Sequence, residues 1–530
     1  MTIAPPFGSA PHRPGEDPAD WPVAGAWEPL AAGVHPSLPD AGNHRVPPYV
    51  ARDVDERIRG CVEETARRGG LVVLVGDSAA GKTRALFEAV RTVLPNHRVC
   101  APPPDEDMSY AVTSVENHDG PCVVWLDDLE RFLRPGGLGA GLLAALERRR
   151  VPVVATMRLK PFEAFGAERD RGPWTHLLRA AQVVDLHRLW SERELARAGQ
   201  YEDARVLEAV AHHGPYGVAE YLAAGPALLL EWRRAGAGNG HARGAALVRV
   251  AVDLTRSGLQ GPYSQGQLEE LHERCLTADG VLRPEPLEAA FAWASEVRHG
   301  VTSLLVPARD GRWAAFDYLV DHTDAPLPEW LWHAALAHSA TEADRLIVAR
   351  NARSAAPRVA EQAWRQLADR GNPYAAYDLA QLLTAAEHVQ EAESRYRQAL
   401  GKGHPDAAND LAILLEDQGR LDEAEALYRR ALATGDPYAA GNLGELLVGA
   451  GRHAEALALY RRMFTGGFRQ VAQPLAALLR KMGRHSEAEP FYRVAVELGH
   501  PGAVEDFVSM LMWLGRGGEA EALRREYVRE

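Results

Sequence analysis

Residues 76–83 read Gly76-Asp77-Ser78-Ala79-Ala80-Gly81-Lys82-Thr83, a complete G-x-x-x-x-G-K-S/T run between the aliphatic stretch Leu71–Val75 and the helical pattern Thr83–Val93. Those types at that spacing suit a phosphate-cradling loop. Glycines let backbone N–H groups turn toward an anion, and the following helix N-terminus adds partial positive charge. Lys82 then offers a point charge to the β- and γ-phosphates of a nucleotide, and the Thr83 hydroxyl offers a ligand to Mg²⁺. Arg84 completes the expected nucleotide-binding set.

A cradle of this kind needs an acidic partner on a neighbouring strand. Cys122-Val123-Val124-Trp125-Leu126-Asp127-Asp128 supplies one, an apolar strand ending in two carboxylates, 45 residues beyond Lys82. Asp127 is expected to hold Mg²⁺ through water and Asp128 to polarise the attacking water as general base. Glu130 competes for that second role. A further strand, Val151–Thr156, runs on to Met157 and Arg158, whose guanidinium would reach the γ-phosphate.

The elements that must position these residues follow from the hydrophobic pattern. Leu71–Val75, Cys122–Leu126, Val151–Thr156 and Val183–Leu186 are short, valine-rich runs of the kind buried in parallel sheets. Helical segments such as Thr83–Val93 and Leu138–Arg150 separate them, so an α/β parallel sheet is expected over 49–190. Helical signals dominate 191–255. Residues 256–330 mix helices with a hairpin of Ser303–Pro307 and Trp313–Tyr318, turned at Asp310-Gly311, which predicts a winged-helix module.

Together, the phosphate loop, the double-aspartate strand and the strand-end arginine resemble the STAND ATPases, the signal-transduction relatives of AAA+ proteins. Tyr49-Val50-Ala51-Arg52-Asp53 is similar to their hhGRE box, with alanine for the glycine and Asp53 for the glutamate; the resemblance puts Val50 and Arg52 near the nucleotide base. Gly225-Pro226-Ala227-Leu228 is similar to their GxP element, which would place Pro226 there too; a plain helix-to-helix turn explains it equally well. At Phe316-Asp317-Tyr318-Leu319, where some relatives carry a Met-His-Asp sensor, the histidine is missing, and its role does not pass to His322. The resemblance implies an α/β P-loop NTPase domain, helical and winged-helix modules, ATP/ADP with Mg²⁺, slow hydrolysis and nucleotide-dependent homo-oligomerisation.

The C-terminal third is repetitive. Pro373, Pro405, Pro437 and Pro501 fall on a 32-residue step, as do Leu379, Leu411, Leu443 and Leu475 and the tyrosines 396, 428, 460 and 492. Gly419, Gly451, Gly483 and Gly515, each followed by arginine, mark a turn between two helical stretches. Five copies from about Gly371 resemble tetratricopeptide or Sel1 repeats, so 331–530 is expected to form an α-solenoid of helix-turn-helix repeats that binds a protein or peptide. The column Asp378, Asp410, Asn442, Pro474, Asp506 reads either as a polar track for such a partner or as bridges between helices. The column Glu391, Glu423, Glu455, Glu487, Glu519 reads as a solvated face.

Composition bounds the alternatives. The 530 residues suggest three or four domains at roughly 150 each. With 59 basic against 72 acidic residues the net charge is −13, which argues against general nucleic-acid affinity. Four scattered cysteines, the absence of a membrane-length apolar run and a Pro-rich, signal-free 1–48 predict a cytoplasmic, reduced protein with a flexible leader. Two other functions stay open: a transcription regulator using the winged-helix module, and a non-catalytic scaffold with structural nucleotide.

Overall fold

The computed structural model describes residues 18–37, 40, 44–104, 107–133, 137–167, 177–178, 181–236, 240–278, 284–434, 436, 439–466, 468–498, 500 and 502–527. The chain divides into two compact units, Met1–Ala363 and Trp364–Glu530. The division falls inside the helix Pro357–Asp369, beyond residue 331 where the repeat domain was expected to start.

The first unit is built on a five-stranded parallel sheet of β1 (Gly70–Gly76), β2 (Arg98–Cys100), β3 (Cys122–Leu126), β4 (Pro152–Arg158) and β5 (Gln182–Asp185), in the order β2-β3-β4-β1-β5. Period-two alternation explains why the strands are apolar throughout. Leu71, Val73 and Val75 face one hydrophobic cluster with Val124 and Val153, while Val72 and Leu74 face the other with Val123, Trp125 and Val154. The double-aspartate strand was expected beside β1. Instead β4 lies between them, pairing Gly76 with Arg158 on one side and Leu126 with Ala155 on the other. Long-range pairing of this kind has no local signature.

The expected flexible leader is corrected over its described part; residues 1–17 lie outside the described residues. Val23 bridges to Arg98, and Trp27 meets Trp125 edge-on at 5.2 Å and Phe87 at 5.9 Å. Aromatic burial of this size outweighs the disorder that the prolines suggest. The segment from Trp21 to Ser37 therefore belongs to the fold.

Helices Glu192–Ala198, Ala204–His212, Val218–Leu222, Gly225–Gly236 and Ala242–Arg256 follow the sheet. Next comes a small antiparallel sheet of β6 (Tyr263–Ser264), β7 (Leu305–Pro307) and β8 (Arg312–Ala315), in the order β6-β8-β7. The hairpin expected through Tyr318 ends earlier. Asp317–Asp321 is helical and buries Tyr318, Leu319 and Val320 in succession, which an alternating strand cannot do.

The second unit is a helical solenoid. Its second helices begin at Val389, Leu421, His453, His485 and Gly517, on the 32-residue step. The turn glycines 419, 451, 483 and 515 have φ between +74° and +76°, which glycine adopts without strain; Glu387 takes the same role at +60° in the first repeat. Pro373 sits in the first turn of its helix, whereas Pro405 precedes a helix starting at Ala407. Pro437 and Pro501 lie outside the described residues. Tyr396, Tyr428, Tyr460 and Tyr492 are buried, and Gly444 leaves the space that the Tyr460 ring fills.

Candidate functional site

β1 delivers the glycine-rich loop to the C-terminal edge of the sheet. Ala79 (φ +58°) and Gly81 (φ +94°) turn its backbone before the helix Lys82–Val93 begins. Lys82 is buried and its ammonium donates to the Asp77 carbonyl at 2.7 Å. Residues Ser78, Ala79, Ala80, Gly81, Lys82, Thr83 and Arg84 line a cavity of about 220 Å³. Gly76 and Asp77 do not line it: Gly76 packs against the Leu186 carbonyl, and Asp77 serves through its backbone.

Although β3 is one strand removed, its carboxylates reach the same cavity. The Thr83 hydroxyl donates to Asp127 Oδ1 at 3.0 Å, and the Thr156 hydroxyl donates to that oxygen at 2.7 Å. Thr156 also accepts the Asp128 N–H at 2.9 Å. Thr156, on the intervening strand, thus ties both acidic residues to the loop. Sequence reasoning had passed over it; its signal is a hydroxyl among the aliphatics of β4. Burial and the adjacent Asp128 push the Asp127 carboxyl up to about 7, against the lowering hydrogen bonds from Thr156 and Thr83. Asp128 turns into the cavity with φ +59°.

Arg158 lines the cavity too, but its guanidinium is engaged. Nε donates to Glu130 at 2.6 Å and Nη1 to Asp321 at 3.2 Å. Burial opposes its charge, yet Glu130 and Asp321 outweigh burial and hold it above its ordinary value. Burial pushes the Glu130 carboxyl up while its contact with Arg158, at 2.6 Å, pulls it down; the contact makes it the partner of Arg158.

Arg52 is buried and acts on the loop itself. Nη1 donates to the Ala80 carbonyl at 3.1 Å, Nη2 to the His187 carbonyl at 2.7 Å, and Nε pairs with Glu194 at 2.9 Å. Glu194 was missed in the sequence, although Ser191-x-x-Glu194 is a recognisable capping box. Val50 lines the cavity, while Asp53 turns outward to Ser191 and Arg197. Arg84 stands over the Tyr49 ring at 5.7 Å and pairs with Glu88 at 2.8 Å. Pro226 is not a lining residue. Its helix opens at Gly225 against the Tyr318 ring, and Leu222 and Ala223 reach the cavity in its place. His322 is also elsewhere, stacked on Tyr318 at 3.8 Å.

The cavity therefore has two characters. Val50, Val206, Leu222 and Ala223 make an apolar end, and Lys82, Thr83, Asp127, Asp128 and Arg158 make a charged one. Cys122, at the start of β3 and away from the cavity, is buried, its thiol pushed up to about 11 by burial.

On the repeats, the polar column bridges neighbours. Tyr377 donates to Asp410 at 2.7 Å, Asn442 to Asn409 at 2.8 Å, and Arg480 to Asp506 at 3.4 Å. Buried Asp378 and Asp410 are not a track for a peptide. The glutamate column is not a bare solvated face either. Arg420 joins Glu423 to Glu393 of the preceding repeat, Arg452 joins Glu455 to Glu425, and Arg516 joins Glu519 to Glu489. Arg484 pairs with Glu487, but Leu457 stands where the second glutamate would be.

Comparison with known proteins identifies the solenoid. The tetratricopeptide repeat family profile matches residues 377–440 and 410–465, so the C-terminal region carries tetratricopeptide repeats, a class that typically binds protein partners. No curated protein matches the chain significantly. Among solved structures, a Signal Transduction ATPase with Numerous Domains with a tetratricopeptide repeat sensor, from Pyrococcus horikoshii, is 13% identical at TM-score 0.30, covering 91% of this chain and 83% of that one. YrrB, a tetratricopeptide protein with an unusual peptide-binding site, is 18% identical at TM-score 0.27, covering 33% and 96%. PilF of Pseudomonas aeruginosa is 17% identical at TM-score 0.29, covering 34% and 87%. No described helix is long and apolar enough to cross a membrane.

Proposed function

We propose that the first unit binds ATP with Mg²⁺ and hydrolyses it slowly, as a signalling switch of the STAND type, and that the tetratricopeptide repeats engage a protein partner. The observation that carries this is the link from Thr83 to Asp127 at 3.0 Å inside a cavity lined by Ser78–Arg84. Loop, lysine, hydroxyl and acid converge where a phosphate chain and its cation need them. In this reading 49–190 is the nucleotide-binding domain, 191–255 a helical lid and 256–330 a winged-helix module.

Thr83 and Asp127 are the residues that would hold Mg²⁺, which when bound offsets phosphate charge. Their oxygen donors fit that hard cation. Lys82 leaves the Asp77 carbonyl for the phosphates. Asp128 takes a proton from the attacking water, and Arg158, already braced by Glu130 and Asp321, balances charge at the same end. The apolar end, Val50 with Val206, Leu222 and Ala223, receives the base. Arg52 keeps the loop in shape through the Ala80 carbonyl. Asp317, directly after the small sheet, lines the cavity, which favours a module serving the nucleotide over one reading DNA.

Nucleotide titration of the full chain tests the reading. Lys82→Ala is expected to abolish ATP and ADP binding with unchanged far-UV circular dichroism. Binding retained by Lys82→Ala would end it. Phosphate release that depends on Mg²⁺ and is lost in Asp128→Asn supports hydrolysis; a wild-type protein that binds without turnover is instead a nucleotide-bound scaffold.

A further inference from the structure

The charged end of the cavity has a wall that no motif accounts for. Gly33, Val34, His35, Pro36 and Ser37 line the cavity, with Gly33 against Asp127 and Ser37 beside Arg205. This stretch is held at both ends. Upstream, Trp27 is sunk against Trp125 and Phe87, and Val34 donates to the Pro29 carbonyl at 3.1 Å. Downstream, Ser37 donates to the Arg45 carbonyl at 2.7 Å, Arg205 reaches the His44 carbonyl at 2.6 Å, and Arg45 reaches the Val301 carbonyl at 3.0 Å.

Between these anchors the chain passes directly over the acidic site. Gly33, at φ +93°, lies so close to Asp127 that a Cβ would collide with its second carboxylate oxygen, the one Thr83 and Thr156 leave untouched. Two residues on, the His35 ring stands edge-on to Phe316 at 5.9 Å. A second cavity of about 230 Å³ adjoins the first and shares His35, Asp128, Arg131, Arg158 and Asp317 with it. His35 is therefore placed where the two cavities meet, with Asp128, Asp317 and Lys82 as its electrostatic neighbours.

We infer that His35 is a contact for the terminal phosphate, brought to the site by the strap Trp27–Ser37, and that it separates triphosphate from diphosphate. The inference rests on the nucleotide reading above and adds to it a residue that none of the phosphate motifs contains. The chemistry is direct. Asp128 and Asp317 confront an incoming γ-phosphate with like charge, and Arg158 is already shared by Glu130 and Asp321. An imidazole N–H at that end offers a donor to the third phosphate whether the ring is neutral or protonated. A diphosphate, held by Lys82 and the loop amides, lacks the third phosphate that this donor would meet. Burial, with Lys82 adding to it, keeps the ring below its ordinary pKa against the opposing pull of Asp317 and Asp128.

Binding of ADP and of a non-hydrolysable ATP analogue to the full chain in Mg²⁺, compared between wild type, His35→Ala and His35→Gln, tests this. His35→Ala is expected to weaken the triphosphate analogue about tenfold, ~1.4 kcal/mol, and ADP less than about twofold. His35→Gln, which keeps an N–H donor, should recover most of the loss. Hydrogen exchange of the Gly33, Val34 and Ser37 amides, which donate to the Leu30, Pro29 and Arg45 carbonyls, reports whether the strap stays seated. Equal weakening of both nucleotides with the strap seated, or no change in either, overturns the role of His35. Wild-type protein that binds neither nucleotide overturns the nucleotide reading itself.

Discussion

Arg52 and Glu194 form a buried ion pair at 2.9 Å, joining the segment before the first sheet helix to the first helix after the sheet. The same guanidinium holds the Ala80 carbonyl, so the shape of the glycine-rich loop is set partly by a carboxylate 142 residues along the chain from Arg52. Glu194 is itself fixed by the Ser191 and Asp53 N–H groups.

Arg52→Met should break this arrangement. Removing one partner of a buried pair leaves the other charge uncompensated, at a cost of about 3–5 kcal/mol. Thermal unfolding of Arg52→Met is expected to drop clearly, and nucleotide affinity with it. The double variant Arg52→Met/Glu194→Met should recover much of the stability and little of the affinity, because the Ala80 carbonyl still lacks its donor.

Thr156→Val tests the bridge between the two aspartates. It strips the Asp128 N–H of its acceptor and Asp127 of one donor, a loss of about 1–3 kcal/mol for the buried amide. Phosphate release that depends on Mg²⁺ should fall by about tenfold or more, each ~1.4 kcal/mol of lost positioning being a factor of ten. Nucleotide binding measured in EDTA should stay nearly unchanged, since Lys82 and the loop amides are untouched.

Asp127 gives the metal-free protein a defined pH response. Its folded-state pKa is raised to about 7, above the ordinary carboxylate value, so its protonated form is the one the fold favours. That contribution is fully present below about pH 4 and is lost as pH rises through about 7. Asp127→Asn removes the effect. In EDTA the variant should therefore gain melting temperature over wild type at pH 8, by about 2 °C or more, and gain little at pH 4. Mg²⁺ with nucleotide should close the gap at pH 8 by stabilising the charged carboxylate.

In the solenoid, Glu387 occupies the left-handed turn that glycine fills in the later repeats. Glu387→Gly should relieve about 1 kcal/mol of backbone strain. Hydrogen exchange of the helices Pro373–Ala385 and Val389–Gly401 is expected to slow about fivefold, the factor that energy represents. Gly451→Ala, at φ +75°, should speed exchange around its own turn by a similar amount.

What the amino-acid order determined unaided is what lies within a few dozen residues of itself. The run Gly76–Thr83 between a strand and a helix, the apolar strand ending in Asp127-Asp128, and the 32-residue step of Leu411, Tyr428 and Gly419 are local patterns, and local backbone preferences suffice to realise them. The tertiary structure decided the rest, because it depends on which distant surfaces exclude water together. β4 came between β1 and β3, which turned Thr156 from a strand-end residue into the tether of both aspartates. Burial of Trp27 against Trp125 drew a proline-rich stretch across the cavity and set Gly33 and His35 against the acidic end. The glutamate ladder of the repeats likewise exists only because stacking brings Glu393 to Arg420, 27 residues apart in the chain.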